Sequence, residues 1–199
     1  MLPHLSETEI IARLDIAEHK TIQEKPFPQF ANRPPRAAAV LLPLAWDQNE
    51  WNILYTRRTD IVEHHKGQVS FPGGATDPID SGPEETALRE AEEEIGLRRS
   101  DVRILGRLGE MLTVTNFFIT PFVGVFPWPY AFTVHTKEVE RVFTLPLAWL
   151  ANRENWQEFV RQETGLSVIT YFPYDGELLW GVTARITVEF IRAMGLIPS

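Results

Sequence analysis

Apolar and polar positions along this chain fall into short blocks separated by glycine and proline. "AAAVLLPLAW" (37–46) and "WNILYTRR" (51–58) are apolar runs on either side of the polar "DQNE", and this arrangement predicts a β-hairpin. Pro43 has no N–H to give to a ladder, so it predicts an edge strand or a bulge at that point. "VRILGRLGEML", "FFITPFVGVF" and "VERVFTLPL" are rich in β-branched and aromatic residues and broken by Gly or Pro, as strands are. Helical spacing appears three times. In "LSETEIIARL", Ser6 and Glu9 have capping-box spacing, and Ile10, Leu14 and Ala17 recur on one face. From Pro83 to Gly96, Glu84, Leu88, Ala91 and Ile95 fall on one stripe at helical spacing. In "WGVTARITVEFIRAMGL", Ala184, Val188, Ile191 and Leu196 do the same. Between the first helix and the hairpin, "QEKPFPQFANRPPR" carries four prolines and predicts an extended arm.

The order of strands, one acidic helix, more strands and a closing helix implies an α/β or α+β sandwich with a mixed sheet. A length of 199 residues suits one domain. The expected division is 1–35, an appended N-terminal helix and Pro-rich arm, and 36–199, the folded body. A hydrophobic fraction of 44% excludes a disordered chain. A net charge of −8 opposes a broad nucleic-acid footprint, and no stretch reaches the ~20 apolar residues of a membrane-spanning helix. With no cysteine there is neither a disulfide framework nor a thiolate nucleophile, which agrees with a cytoplasmic location.

The acidic helix carries the chemistry. Glu90, Glu93 and Glu94 stand at i, i+3 and i+4 on a face distinct from the apolar stripe, while Glu85 and Glu92 fall elsewhere. Three carboxylates so placed repel one another, and a divalent cation removes that penalty. Mg²⁺ favours carboxylate oxygens and binds substrate phosphates at the same time. The bland alternative is a solvated face with Glu85 and Arg89 pairing at i, i+4. Gly73 and Gly74, ahead of the helix, allow backbone to approach a ligand closely, and Gly96 allows a left-handed cap behind it.

Together Gly74, Asp80, Arg89-Glu90, Glu93-Glu94 and Gly96-Leu97 resemble the Nudix box, the loop-helix-loop signature of hydrolases that cleave nucleoside diphosphates linked to another group. Where the family pattern has a Glu eight residues before the Arg, this chain has Ser81, and the gap from Gly74 to Arg89 is one residue longer; Asp80 is the candidate stand-in. That longer gap is similar to the coenzyme A diphosphatase branch of the family. So is "LYTRRTDIVEHHKGQVSFPGG", in which Thr56, Arg58, Gly67 and Phe71 to Gly74 match the branch's second signature and Glu63 replaces an Arg.

The resemblance implies a Nudix-like α/β/α sandwich over 36–199 that hydrolyses coenzyme A or acyl-coenzyme A with Mg²⁺ or Mn²⁺. It implies Glu90 and Glu94 as metal ligands and Glu93 as either a further ligand or the residue that orients water. Arg89 then acts behind them, holding a Glu or loop carbonyls, and Glu138 or Glu140 is a base supplied from outside the box. Gly73, Gly74, Arg57, Arg58 and Lys66 are the expected substrate contacts, with the basic three placed to read the 3′-phosphate of coenzyme A. Phe117 and Phe118 are either core or a ligand platform, and adjacent His64 and His65 diverge too much to form a metal site alone. The expected partner is a small-molecule substrate, with homodimerisation compatible. The alternatives are a Nudix hydrolase of ADP-ribose, dinucleotides or nucleoside triphosphates, and a ligand-sensing module without catalysis.

Overall fold

The computed structural model describes residues 5–17, 21–24, 26–30, 33–60, 67–162 and 165–198. The expected substrate contact Lys66, and with it Glu63, His64 and His65, lies outside these residues. In chain order the elements are α1 (Glu7–Ile16), β1 (Ile22–Gln23), β2 (Arg36–Asp47), β3 (Glu50–Arg58), β4 (Val69–Ser70), β5 (Gly73–Ala75) and α2 (Pro83–Ile95). They continue with β6 (Arg103–Arg107), β7 (Met111–Leu112), β8 (Phe117–Val125), β9 (Val139–Pro146), α3 (Leu147–Ala151), β10 (Trp156–Val160), β11 (Ser167–Tyr171) and α4 (Gly181–Ala193).

β2 and β3 form the expected hairpin, pairing Leu44 with Ile53 and Trp46 with Trp51. β2 also runs parallel to β8 along nine residues, which makes it a central strand and overturns the edge expected from Pro43. The proline is tolerated because β2 changes partner there. Residues 38–40 pair with β5 and 44–47 with β3, and Pro43 falls in the changeover, where no ladder bond is required of it. The sheet runs β1-β7-β8-β2-β3-β4, with β5 on β2, β6 on β8 and β9 on β3.

Period-2 alternation along β2 and β3 gives the sheet two apolar faces. Ala39, Leu41, Ala45 and Leu54 meet Ala87, Ala91 and Ile95 of α2 on one side. Leu42, Leu44, Ile53 and Tyr55 meet Ile10, Leu14, Ala184, Val188 and Ile191 on the other. The layers are therefore α/β/α, as expected. The N-terminal helix belongs to this second core: its capping box is formed, Ile10 and Leu14 are fully buried, and the Trp51 indole N–H donates to the Leu5 carbonyl. The arm behind it lies along β7, with β1 parallel to it. The hairpin β10–β11 falls in a stretch for which the sequence pattern yielded no element, although "WQEFV" and "SVITY" carry the strand-forming residue types.

Candidate active site

α2 is phased differently from its expected apolar stripe. Ala87, Ala91 and Ile95 are buried together with Glu94, while Glu84 is exposed and Leu88 only half-buried. The small alanines let the helix lie close over β2, and that brings its glutamate ridge down to the Gly73-Gly74 backbone.

The two glycines are required by this approach. A Cβ on Gly74 would stand 2.6 Å from the Glu90 carboxylate, and one on Gly73, at φ +155°, would stand 2.5 Å from the Ala39 carbonyl oxygen. Gly74→Ala therefore displaces Glu90. The expected result is a drop in kcat of about tenfold or more with the fold retained, checked by kinetics together with a thermal melt.

Glu94 is 3% exposed and its pKa is pushed up to about 8, chiefly by burial and further by the charges of Glu90 and Glu138. Its opposing contacts are long. Arg58 Nη1 stands 3.5 Å from Oε1, and the Gly73 N–H points at Oε2 from 3.4 Å. Glu90 is also raised, by burial first, against the pull of Arg89. Two carboxylates one helical turn apart, both held above their ordinary range chiefly by burial despite Arg89 and Arg58 beside them, are what a hard divalent cation would stabilise. Among the described residues no three acidic or histidine side chains already converge as a metal cage. Mg²⁺ needs none, since one or two carboxylates, waters and substrate phosphates complete its shell. The donor set fits.

Arg89 sits behind this pair. Its Nε and Nη2 hold the two oxygens of Asp80 at 2.8 and 3.0 Å, and Nη2 also reaches the Ala75 carbonyl at 3.3 Å. Nη1 donates to Glu90 at 2.9 Å and to Glu93 at 3.1 Å. Asp80, with its side chain 1% exposed, also accepts from Thr86 Oγ1 and from the Asp77 N–H. The Arg89 hydrogen bonds hold its pKa well below the usual carboxylate range. Ser81, the residue at the family's Glu position, turns to Glu85 instead. The longer loop thus moves the arginine's partner one residue back, from 81 to 80.

Residues 34–175 match the family described as the NUDIX domain. The chain belongs to the Nudix family. A protein called an uncharacterized Nudix hydrolase NudL in Yersinia enterocolitica is 40% identical over 151 residues, which are 75% of this chain and 76% of that one. Its Yersinia pestis namesake is 37% identical over 152 residues, 76% of each chain. In fold, the chain is similar to a MutT/nudix family protein from Enterococcus faecalis (TM-score 0.54, 12% identity, 96% of this chain and 70% of that one). It is likewise similar to the Nudix hydrolase RenU of M. smegmatis (TM-score 0.51, 17% identity, 83% of this chain and 90% of that one). The protein is thus a pyrophosphohydrolase of the Nudix type, a class that generally uses divalent metal ions.

The other expected site residues fall in different places. Glu93 stands at the exposed rim of the Glu90–Glu94 ridge, its side chain 60% exposed and 3.1 Å from Arg89 Nη1. Arg57 and Arg58, adjacent on β3, point to opposite faces of the sheet. Arg57 stands 3.1 Å from Glu140 and 3.7 Å from Glu177, and neither Arg57 nor Glu140 has a hydrogen bond or ion pair to Glu90 or Glu94 among the described residues. Arg58 lies against Glu94 itself, with Nη1 3.5 Å from its Oε1. Phe117 lies under the Arg36 guanidinium, 5.1 Å from ring centre to Cζ. A cleft of about 750 Å³ lies along the opposite flank of α2, lined by Glu84, Leu88, Arg99 and Phe122 among others, and does not reach Glu90 or Glu94.

Glu92, the acidic residue off the ridge, pairs with Arg99 at 3.0 Å, both about two-fifths exposed. Glu92→Gln is expected to leave kcat within about twofold and stability within about 0.5 kcal/mol. A loss matching that of Glu90→Gln would mean that helix charge in general, rather than the ridge, supports activity.

No helix among the described residues is long and apolar enough to cross a membrane.

Proposed function

We propose that the protein hydrolyses the pyrophosphate bond of coenzyme A or its thioesters, giving 3′,5′-ADP and the corresponding 4′-phosphopantetheine. The observation that carries this reading is that Arg58 and Gly73, both from the coenzyme A branch signature, make their contacts with the box residue Glu94. Two motifs far apart in sequence thereby meet at one carboxylate.

In this reading Glu90 and Glu94 hold Mg²⁺ or Mn²⁺ against the substrate. The ion, when bound, neutralises pyrophosphate oxygens and makes water more acidic. Arg89 keeps Glu90 and the Asp80 loop in place. Arg58 donates to the pyrophosphate: its buried Nε has no partner among the described residues, which leaves an N–H for an incoming anion. Glu138, whose charge is felt at both Glu90 and Glu94, accepts the proton of the attacking water.

Because Arg58 faces Glu94, Arg58→Ala should lower kcat/KM on coenzyme A and on dephospho-coenzyme A alike, by about tenfold or more, the cost of a charge-assisted hydrogen bond of ~1.5–3 kcal/mol. A loss confined to coenzyme A would return Arg58 to the 3′-phosphate. The assignment itself is tested by kcat/KM on coenzyme A, ADP-ribose and NADH side by side. Coenzyme A should lead, and a clear preference for either of the others overturns it.

A further inference from the structure

α2 ends on Gly96, in the left-handed conformation at φ +69°, and the chain that passes this end is Thr133–Val139. A Cβ on Gly96 would stand 2.9 Å from the Thr133 nitrogen, so the glycine admits the loop as well as capping the helix. Two carbonyls of the last helical turn, which have no partner within the helix, accept from the loop: Ile95 from the Thr133 N–H at 3.0 Å, and Glu94 from the His135 N–H at 2.8 Å. The loop then turns on itself, with the Glu138 and Val139 N–H groups donating to the His135 carbonyl. Its far end is fixed just beyond β3, where the Thr59 N–H and hydroxyl donate to the carbonyls of Glu138 and Lys137. Within this frame the His135 ring Nδ1 stands 3.4 Å from Glu138 Oε1.

We propose that His135 is a positioning residue for Glu138, holding its carboxylate toward the Glu90–Glu94 pocket from a loop that hangs on the end of the catalytic helix. This rests on the reading of Glu138 as the acceptor of the water's proton. The backbone bonds fix where the loop runs, but a half-exposed glutamate side chain still has several rotamers, and the imidazole contact selects among them. The loop bearing Glu138 is bonded to the Glu94 carbonyl at one end and to Thr59, next to Arg58, at the other, which places it beside that pocket. Both side chains are nearly half exposed, so replacing either one leaves the backbone anchors and the core in place.

The test is a double-mutant cycle on whichever pyrophosphate substrate the parent cleaves best. A failure of the coenzyme A assignment then appears as the parent's selectivity, and a failure of this proposal appears within the cycle. His135→Ala is expected to lower kcat about ten- to a hundredfold with KM nearly unchanged. His135→Asn, which keeps a donor near the Nδ1 position, should recover most of the loss. In a Glu138→Gln background His135→Ala should cost almost nothing more. The proposal is overturned if His135→Ala costs as much in that background as in the parent, if it acts on KM rather than kcat, if Glu138→Gln keeps the parent rate, or if a lowered melting temperature accounts for the loss.

Discussion

Glu94→Gln should lower kcat by about a thousandfold while making the metal-free protein more stable above pH 7. The catalytic loss follows from removing a ligand charge whose effect on the transition state is several kcal/mol, ~4 kcal/mol being a thousandfold. The stability gain follows from burial. The Glu94 pKa rises from 4.5 to about 8 on folding, so between those values the folded state binds more protons than the unfolded one. Its contribution to stability is therefore present in full below about pH 4.5 and is lost as pH climbs toward 8. Glutamine has no proton to lose, so the variant escapes this decline. Melting temperatures of metal-free parent and variant should diverge as pH rises from 5 to 8, and Mg²⁺ or Mn²⁺ should raise the parent far more than the variant. Parallel pH profiles, or equal metal stabilisation, would remove Glu94 as a ligand.

Arg89→Lys, conservative in charge, should cost both fold and function. One guanidinium holds both oxygens of a nearly inaccessible Asp80, the Ala75 carbonyl, Glu90 and Glu93, and a single ammonium cannot reach this set. Leaving the Asp80 carboxylate with part of its hydrogen bonds unmade should lower stability measurably. Loosening of groups that orient metal ligands adds about ten- to a hundredfold in activity. Denaturant unfolding and kcat at saturating metal measure the two effects separately. If lysine keeps both, the network is incidental to the site.

The sequence made some of this legible because the relevant constraints are local. The capping box of α1, the β2–β3 hairpin and the left-handed Gly96 each depend on residues within a few positions, and all three appear as expected. What was hidden depends on partners distant in the chain. Pro43 marks an edge only if a strand keeps one neighbour along its length, and β2 does not. The stripe through Glu84 and Leu88 assumes that a leucine is buried before a glutamate; the helix instead buries Glu94, at a desolvation cost that apolar periodicity cannot register. Likewise Arg57 and Arg58 look alike in sequence, and only the parity of β3 and the ions on each face separate them. His135 carried no signal of its own, because its relation to the site runs through the end of α2, some forty residues earlier in the chain.

The most direct measurement is product analysis by mass spectrometry after incubating the parent protein and Glu94→Gln with coenzyme A, with Mg²⁺ or Mn²⁺ and with chelator. The parent with metal should give 3′,5′-ADP and 4′-phosphopantetheine in equal amounts, and neither product should appear in appreciable yield from the variant or under chelation. Intact coenzyme A in the presence of metal, with turnover of ADP-ribose or NADH in the same preparation, would contradict the substrate. Equal product formation with chelator, or by Glu94→Gln, would contradict the metal-dependent site.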